Sequence, residues 1–465
     1  MVKKSFFTLC SLGLAVGLKA QEVKPNIVFF LADDLGWTDL GFMGSDYYES
    51  PNLDTLAKNS LLFTQAYSSA PNSAPSRACM MTGKYTPRHG VYTVESSERG
   101  DRTQRKLIPI PNTIDVRGDF VTMAEMLSCN GYSCGHVGKW HLGLDGEGTG
   151  PLDQGFISNV AGCRVGHPYS YFYPYRNKKG CHEDLVADGH EGEYLTDRLT
   201  DEGIKFIREH KDAPFFLYMS QHAVHTPLQA PPELLEKYKA KPKGKRHNNP
   251  AYAAIIENMD ANLGKMLAAL DEMGLSKNTL FVFFSDNGGL EPVTDNWPLQ
   301  GGKGMAYEGG TRVPLLIRWP GHVEPGVTDA LVCGLDFYPT FAKVAGENPA
   351  KDLDGEDIFE IVDGKKRDIF WHFPAYLQGT IKGGPTFRAT PYSSVRSGDW
   401  KLIYFYEDDS VELYNIAEDI SEAHNLILQE PQIAKKLRKK LFKWIKKTKA
   451  PIPTELNLYY EQSLS

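Results

Sequence analysis

Short, uninterrupted hydrophobic runs alternate with longer amphipathic segments along most of this chain. Runs of this length are typical of strands covered on both faces, as in a mainly parallel sheet. A polar residue follows each run closely, so that each predicted strand ends beside a side chain that could bind a ligand or take part in catalysis. The three clearest runs are residues 26–32, before Asp33; 214–220, before Gln221; and 279–285, before Asp286. A strand-like segment at 132–137 precedes Lys139.

Segments with helical spacing of apolar residues lie between these runs, at residues 120–129, 195–209 and 251–273. Strands that alternate with helices predict an α/β sheet with right-handed crossovers. Ligands of such sheets bind beyond the carboxyl ends of the strands. The polar residues that follow the strands are therefore predicted to gather at one edge.

The pattern changes after residues 369–374, where a Gly/Pro-rich stretch reaches Pro385. Three strand-like segments separated by turns then predict a small antiparallel sheet, at 393–396, 400–406 and 411–415. Pro431 opens a helix with one apolar stripe, formed by Ile433, Leu437, Leu441, Trp444 and Ile445. Its Lys/Arg face is either the solvated side of a packing helix or a surface that attracts anionic glycans or lipid.

The pattern divides the chain into three parts: a signal peptide (1–20), a large α/β catalytic domain (21–375) and a C-terminal subdomain of antiparallel sheet plus helix (376–465). Lys3 and Lys4 precede an apolar run at 6–18, as in a secretory signal. That run is shorter than the roughly 20 residues of a membrane span, so no transmembrane anchor is expected. We expect export to the periplasm or the extracellular space.

Net charge and cysteine spacing argue against two classes of function, nucleic-acid binding and a cysteine-based metal site. The net charge of −7 over 465 residues gives no electrostatic footprint for nucleic acid. Six of the seven cysteines would remain after cleavage at residue 20, and their spacing does not suggest a metal knuckle. Cys163 and Cys181 are either a disulfide or two free thiols.

The segment from Ser73 to Gly83 reads Ser-Ala-Pro-Ser-Arg-Ala-Cys-Met-Met-Thr-Gly. Pro75 suits the first turn of a short helix and Gly83 suits its end. The positive end of that helix points towards Ser73, and Arg77 adds a planar cation. The segment is either an ordinary capped turn or a site that attracts an anion to Ser73.

Acidic residues end two of the predicted strands, Asp33-Asp34 at one and Asp286-Asn287 at the other. By itself an Asp-Asp pair suits a helix cap or turn. Both aspartates reach one ion only if the chain bends, and Gly36 allows a bend. The joint set offers hard oxygen ligands, which suit Ca²⁺, with Mg²⁺ as the alternative, and do not suit zinc.

Basic side chains follow other strands, and from the sequence each could have either a structural or a functional role. Lys139 and His141 alternate in Gly-Lys-Trp-His and share one face of a strand end. His222 and His225 occur in Gln-His-Ala-Val-His-Thr-Pro, and Lys303 and Arg312 in a glycine-rich segment. We assign Arg312 no role beyond structure.

Together these motifs resemble the type I, formylglycine-dependent sulfatases, over nearly the whole chain from about Pro25. The resemblance rests on Ser73-x-Pro-Ser-Arg77-x-x-x-Met-Thr-Gly83, on Gly138-Lys139-Trp140-His141 and on His225-Thr-Pro. It implies an alkaline-phosphatase-like fold. It also implies that a maturation enzyme oxidises Ser73 to formylglycine (3-oxoalanine), whose hydrate is the nucleophile. The serine form resembles sulfatases of bacteria.

The resemblance implies a role for each site residue. Asp33, Asp34, Asp286 and Asn287, with residue 73, are expected to bind one calcium ion. Lys139 and Lys303 are expected to bind the sulfate, and Arg77 to favour ionisation of the nucleophile. His141 would take a proton from the second hydroxyl of the hydrate, and His225 would protonate the leaving oxygen. His222 is either structural or a substrate contact, and His372 is a candidate for the pocket rim.

The expected activity is hydrolysis of sulfate monoesters on carbohydrates. An arylsulfatase or choline-type sulfatase with the same mechanism is an alternative, as is a non-catalytic binder of sulfated glycans if Ser73 is not oxidised. A two-zinc phosphatase or phosphodiesterase fits less well, since the set offers one oxygen-lined site. The aromatic segment 166–176 suits either sugar stacking or a rigid loop.

Overall fold

The computed structural model describes residues 24–460, and the predicted signal peptide lies outside them. Its centre is an eight-stranded, mainly parallel sheet in which only Leu315–Arg318 is antiparallel to its neighbours. The strands follow one another across the sheet as Gly326–Thr328, Leu61–Phe63, Leu315–Arg318, Thr279–Ser285, Asn26–Ala32, Phe215–Ser220, Ser133–Gly138 and Ser158–Val160. This arrangement confirms the predicted α/β class.

The central strand Asn26–Ala32 shows how the sheet divides the core. Ile27, Phe29 and Leu31 pack on one face, whereas Val28, Phe30 and Ala32 pack on the other. All seven residues of the strand are buried. This explains why its sequence is an unbroken apolar run, since both faces are covered by helices.

Helices cover both faces. One layer consists of Pro51–Lys58, Leu195–His210, Pro232–Ala240 and Pro250–Glu272. The other contains Ser73–Thr82, Met123–Cys129 and Phe337–Val344. Shorter helices are Thr86–His89, Glu308–Thr311 and Ile358–Val362. The predicted helix at 120–129 begins at Met123, because Thr122 and Glu125 form a capping box.

A second, antiparallel sheet contains the three strands that were predicted for the C-terminal subdomain. It also includes Asp368–Phe373, which lies within residues 21–375 and was predicted to belong to the catalytic domain. Its order is Asp368–Phe373, Tyr392–Ser397, Trp400–Phe405 and Val411–Asn415. The helix Pro431–Thr448 packs on it through Leu437, Leu441, Trp444 and Ile445. Three two-stranded ribbons complete the strands: Ala66–Tyr67 with Val332–Cys333, Arg176–Asn177 with Gly180–Cys181, and Leu377–Gln378 with Phe387–Ala389.

Cys163 and Cys181 are free thiols in the structure, as are the other cysteines of residues 24–460. Within the same residues, none of the helices has the length and apolar character that a membrane crossing requires.

Candidate active site

The carboxyl ends of four neighbouring strands meet at one edge of the large sheet, as expected. The chain bends there at Asp34, which has a left-handed φ of 64°, so that both aspartates face the same site. The sequence interpretation assigned this bend to Gly36. That residue instead lets the backbone approach Asp39, because a Cβ there would lie 2.7 Å from Asp39 Oδ2.

Asp286 and Asn287 lie against the two aspartates from the adjacent strand. The backbone N–H of Asp34 donates to Asp286 Oδ1 at 3.2 Å. The side-chain amide of Asn287 donates to Asp34 Oδ1 at 2.9 Å and to the carbonyl of Gly288 at 3.0 Å. These two bonds turn the carbonyl oxygen of Asn287 towards Ser73.

Ser73 begins the buried helix Ser73–Thr82, which ends at Gly83 in the left-handed region, φ 63°. Its Oγ lies 3.2 Å from both Asp33 Oδ1 and Asn287 Oδ1. The hydroxyl is thus held between two oxygen ligands that come from different strands. The helix itself packs into the core through Ala74, Ala78, Met80 and Met81.

Arg77, one turn along that helix, is fully buried. Its Nε donates to Asp286 Oδ2 at 2.9 Å, and one Nη donates to the carbonyl of Lys139 and to Ser220 Oγ. Although burial opposes its charge, Asp286 raises the pKa of Arg77 above its usual value. Sequence reasoning missed Ser220, although its place at the end of a buried strand was visible.

Two lysines contact the acidic group, which consists of the buried carboxylates of Asp33, Asp34 and Asp286. Lys139 Nζ lies 2.8 Å from both carboxylate oxygens of Asp33. Lys303 Nζ lies 2.6 Å and 2.8 Å from the two oxygens of Asp34. Burial lowers the pKa of Lys139, against the attraction of Asp33.

His225 and His141 complete the group. His225 Nε2 lies 3.5 Å from Asp34 Oδ2, and its Nδ1 contacts the carbonyl of Thr226 at 2.6 Å. Burial lowers the pKa of His225 to about 3 and that of His141 well below the usual value, so both rings are neutral near pH 7. His141 lies beyond the strand, which ends at Gly138, and its φ of 67° turns it into the site.

The electrostatics of the acidic group fit a divalent cation. Burial raises the pKa of Asp33 to about 8, with Asp286 and Asp34 adding to the rise and Lys139 opposing it. Against the same burial, Lys303 and His225 hold the pKa of Asp34 well below its usual value. A divalent ion among these buried carboxylates would favour ionisation of all three.

The donor set suits a hard cation, since three carboxylates and an amide carbonyl surround residue 73. Among residues 24–460, the ligand atoms of Asp33, Asp34 and His225 also lie within 4.8 Å of one another. His225 thus lies beside the carboxylates that could hold an ion. Oxygen ligands are preferred by calcium and magnesium, which leaves the imidazole available for proton transfer.

Other residues that the sequence singled out lie elsewhere or act through neighbours. His372 is not at a pocket rim, because it is buried in the small sheet between Ser393 Oγ (2.7 Å) and the carbonyl of Pro451 (3.0 Å). Arg312 donates to the carbonyl of Thr64 and pairs with Glu308. His222 is buried with both ring nitrogens lacking a hydrogen-bond partner within residues 24–460.

The aromatic segment 166–176 contributes in two ways. Tyr171 is buried and its hydroxyl donates to the carbonyls of His222 and His225, each at 2.8 Å. It therefore holds the loop that carries His225. Tyr169, by contrast, is half-buried and lines the cavity in front of Ser73.

That cavity has a volume of about 590 Å³, within the range of small-ligand pockets. Ser73, His141, His225 and Lys303 lie at its base. Sequence reasoning missed two arginines of its wall, Arg99 and Arg388. Both come from loops and short strands whose position depends on contacts distant in sequence.

Comparison with known proteins agrees with this geometry. The sulfatase family model matches residues 25–347, and a model described as N-sulphoglucosamine sulphohydrolase, C-terminal, matches residues 301–449. A sulfatase of Formosa agariphila is 34% identical, over 93% of this chain and 91% of that protein. N-acetylgalactosamine-6-sulfatase of Mus musculus is 32% identical, over 90% of this chain and 79% of that protein.

Among solved structures, Ps i-CgsB has 31% sequence identity and a TM-score of 0.75, covering 95% of this chain and 98% of its own. It has also been crystallised in complex with k-i-k-neocarrahexaose. The similarity therefore extends over both the large sheet and the C-terminal sheet.

Proposed function

The chain belongs to the sulfatase family and is a sulfuric ester hydrolase, and on this premise we propose that it is an exported carbohydrate O-sulfatase. We further propose that Ser73 is oxidised to formylglycine and that one calcium ion binds beside it. The family as a whole uses formylglycine and a divalent metal.

One observation supports this proposal most directly. The hydroxyl of Ser73 lies 3.2 Å from Asp33 Oδ1 and 3.2 Å from Asn287 Oδ1, inside a buried group of three carboxylates. A serine that only caps a helix does not need such surroundings, because burying several carboxylates is costly unless they are paired. The arrangement is suited to hold an ion and a reactive side chain together.

The proposed ligands of the ion are Asp33, Asp34, Asp286 and Asn287, together with residue 73. When bound, calcium would supply positive charge that offsets the carboxylates and stabilises negative oxygen at residue 73. Formylglycine would supply a hydrate with two hydroxyls, one to attack sulfur and one from which the aldehyde is restored. Arg77 fixes Asp286 and adds a further positive charge beside residue 73.

The remaining side chains bind the substrate and move protons. Lys139 and Lys303 carry fixed positive charge to the base of the cavity and attract the sulfate oxygens. His225 donates a proton to the departing sugar oxygen, a step typically worth about 10²–10⁴ in rate. The negative charge of the bound sulfate ester raises the pKa of His225 and thereby favours the protonated imidazole. His141, a neutral imidazole, accepts a proton from the second hydroxyl.

Carbohydrate is favoured as the substrate class by two of the similar proteins. One is named N-acetylgalactosamine-6-sulfatase, and another has been crystallised in complex with k-i-k-neocarrahexaose. Half-buried Tyr169 at the cavity wall offers an aromatic face for a sugar ring. Export is supported by the secretory pattern of residues 1–20.

The proposal is tested on protein produced with and without a serine-type maturation enzyme. We expect mass spectrometry of the peptide spanning Ser73 to show the loss of two hydrogens only after maturation. Only that protein should turn over a panel of sulfated monosaccharides. Ser73→Ala should show neither the mass change nor turnover. Unmodified Ser73 in protein from its native host, with retained glycan binding, would instead indicate a binding protein.

A further inference from the structure

Arg388 is a half-buried arginine in the wall of the Ser73 cavity, and it forms no ion pair within residues 24–460. Its Nε and Nη1 are buried and have no hydrogen-bond partner within residues 24–460. Two arginines with buried side chains elsewhere in the structure differ, since Arg77 contacts Asp286 and Arg367 contacts Asp336. Buried donors left unpaired are costly, so this guanidinium is arranged to receive a partner.

The position of Arg388 follows from the C-terminal ribbon. It lies in the strand Phe387–Ala389, which pairs with Leu377–Gln378. It packs against Gly304, where a Cβ would come within 3.1 Å of its Nε. Gly304 directly follows Lys303, so Arg388 lies next to the proposed sulfate-binding loop without touching the acidic group at its base.

A second arginine, Arg99, lies near Arg388 in the same cavity. Gly100 packs on the ring of Phe387, where a Cβ would lie 2.6 Å from Cε1, and this brings Arg99 towards Arg388. Arg99 lines the same cavity and forms no ion pair within residues 24–460. Glu95 is the acidic group that acts on Arg99, whereas Asp34 and Glu291 act on Arg388 without forming an ion pair with it.

The charge of Arg388 is retained near neutral pH. Burial and the nearby Arg99 lower its pKa, but only to about 10. The side-chain oxygen of Gln378, from the partner strand, is also buried without a hydrogen-bond partner within the described residues and lines the cavity. The wall therefore offers a planar cation, which suits an anionic substituent on a sugar, and beside it an amide oxygen, which can accept a hydrogen bond from a sugar hydroxyl.

We propose that Arg388, supported by Arg99, forms a second anion subsite, which selects sugars that carry another negative group besides the sulfate that is removed. The group is a sulfate or a carboxylate, both of which accept two parallel hydrogen bonds from a guanidinium. The proposal rests on the proposed function, because it places the scissile sulfate at Ser73. It predicts a substrate with two anionic groups on the same or adjoining sugar rings.

The test compares three probes: N-acetylgalactosamine 6-sulfate, N-acetylgalactosamine 4,6-disulfate, and a 6-sulfated chondroitin disaccharide, which carries a uronate. Affinity is measured by calorimetry on protein that retains unmodified Ser73, and kcat/KM on matured protein. We expect the wild type to favour one of the two dianionic probes. Whichever probe is favoured identifies the second group as sulfate or carboxylate.

Arg388→Gln should reduce that preference about 10- to 100-fold in both measurements. Arg388→Lys should restore only part of it, because lysine lacks the planar fork. Lys179→Ala removes an exposed charge at the same cavity and should leave the preference unchanged within about twofold. Circular dichroism and the melting temperature check that each variant is folded.

No preference for a dianionic probe in the wild type, or a preference that survives in Arg388→Gln, would overturn the subsite. An equal loss with Lys179→Ala would also overturn it, since general attraction would then explain the effect. Failure of the proposed function has a different signature. In that case matured protein would show no turnover, whereas the binding preference and its loss in Arg388→Gln would remain.

Discussion

Nε of Arg77 lies 2.9 Å from Oδ2 of Asp286, and both side chains are fully buried. This ion pair joins the helix that begins at Ser73 to the strand that ends at Asp286. It therefore fixes the position of the proposed nucleophile relative to the proposed metal ligands. The same guanidinium reaches Ser220 and the carbonyl of Lys139, so one side chain links three strand ends.

Arg77→Gln should leave Asp286 as a buried charge without its partner. We expect the free energy of unfolding to fall by about 3–5 kcal/mol, as is typical when one member of a buried pair is removed. Turnover by the matured protein should be lost as well. Urea denaturation and a sulfatase assay measure both effects. A variant with unchanged stability would show that the pair is not important for the fold.

Removal of the divalent ion is expected to affect both stability and activity. A chelator should abolish turnover and lower the melting temperature, and calcium should restore both. A ligand present at a hundredfold excess over its Kd stabilises the folded state by about 2.7 kcal/mol. Magnesium should restore less, because it demands a stricter octahedral geometry than this protein-only oxygen set offers. Activity that survives exhaustive chelation would contradict the proposed metal site.

Gly166 lies against the ring of His141. A Cβ at this position would come within 2.0 Å of Cε1, so Gly166→Ala must displace the imidazole. We expect kcat to fall about 10²-fold or more with little change in the melting temperature. Gly326→Ala is the matched control, because a Cβ there meets no atom within 4 Å. Equal activity of the two variants would argue against a role for His141.

The edge of the sheet and the proposed site could be predicted from the sequence because they depend on local patterns. Apolar runs predicted the strands, and parallel strands bring their carboxyl ends to one edge. Asp33, Asp286 and Lys139 follow such strands directly, and His225 lies in the loop after the strand that ends at Ser220. To predict that these residues lie close together, only the correct fold class and the motif around Ser73 were needed.

The remaining features depend on contacts that no local pattern reveals. The left-handed turn at Asp34 replaces the bend expected at Gly36, because the backbone approaches Asp286 there. Arg388 lies beyond the Gly/Pro-rich stretch, and only the ribbon and Gly304 bring it to the cavity. His372 was misassigned because an aromatic, strand-like setting does not distinguish a pocket rim from the interior of a sheet.

A buried charge cluster connects the glycine-rich loop to the small sheet. Lys401 Nζ lies 3.0 Å from Glu308 Oε1 and 2.8 Å from Glu422 Oε1. Lys401→Met should lower the free energy of unfolding by about 3–5 kcal/mol, because two buried carboxylates lose their shared partner. Urea denaturation measures this change. Lys343→Met, which breaks solvent-exposed pairs, should have little effect, and an equally small effect of Lys401→Met would contradict the argument.

His372 should make stability depend on pH. Burial lowers its pKa from 6.5 to about 4, so the folded state takes up its proton less readily than the unfolded state. Above pH 6.5 the neutral His372 leaves the free energy of unfolding at its full value. As the pH falls towards 4 that free energy decreases, by about 2 kcal/mol between pH 7 and pH 5. We expect His372→Gln to lose less stability than the wild type over this interval in urea denaturation. His190→Gln, at an exposed histidine, should match the wild type, and an identical pH dependence in all three proteins would refute the assignment.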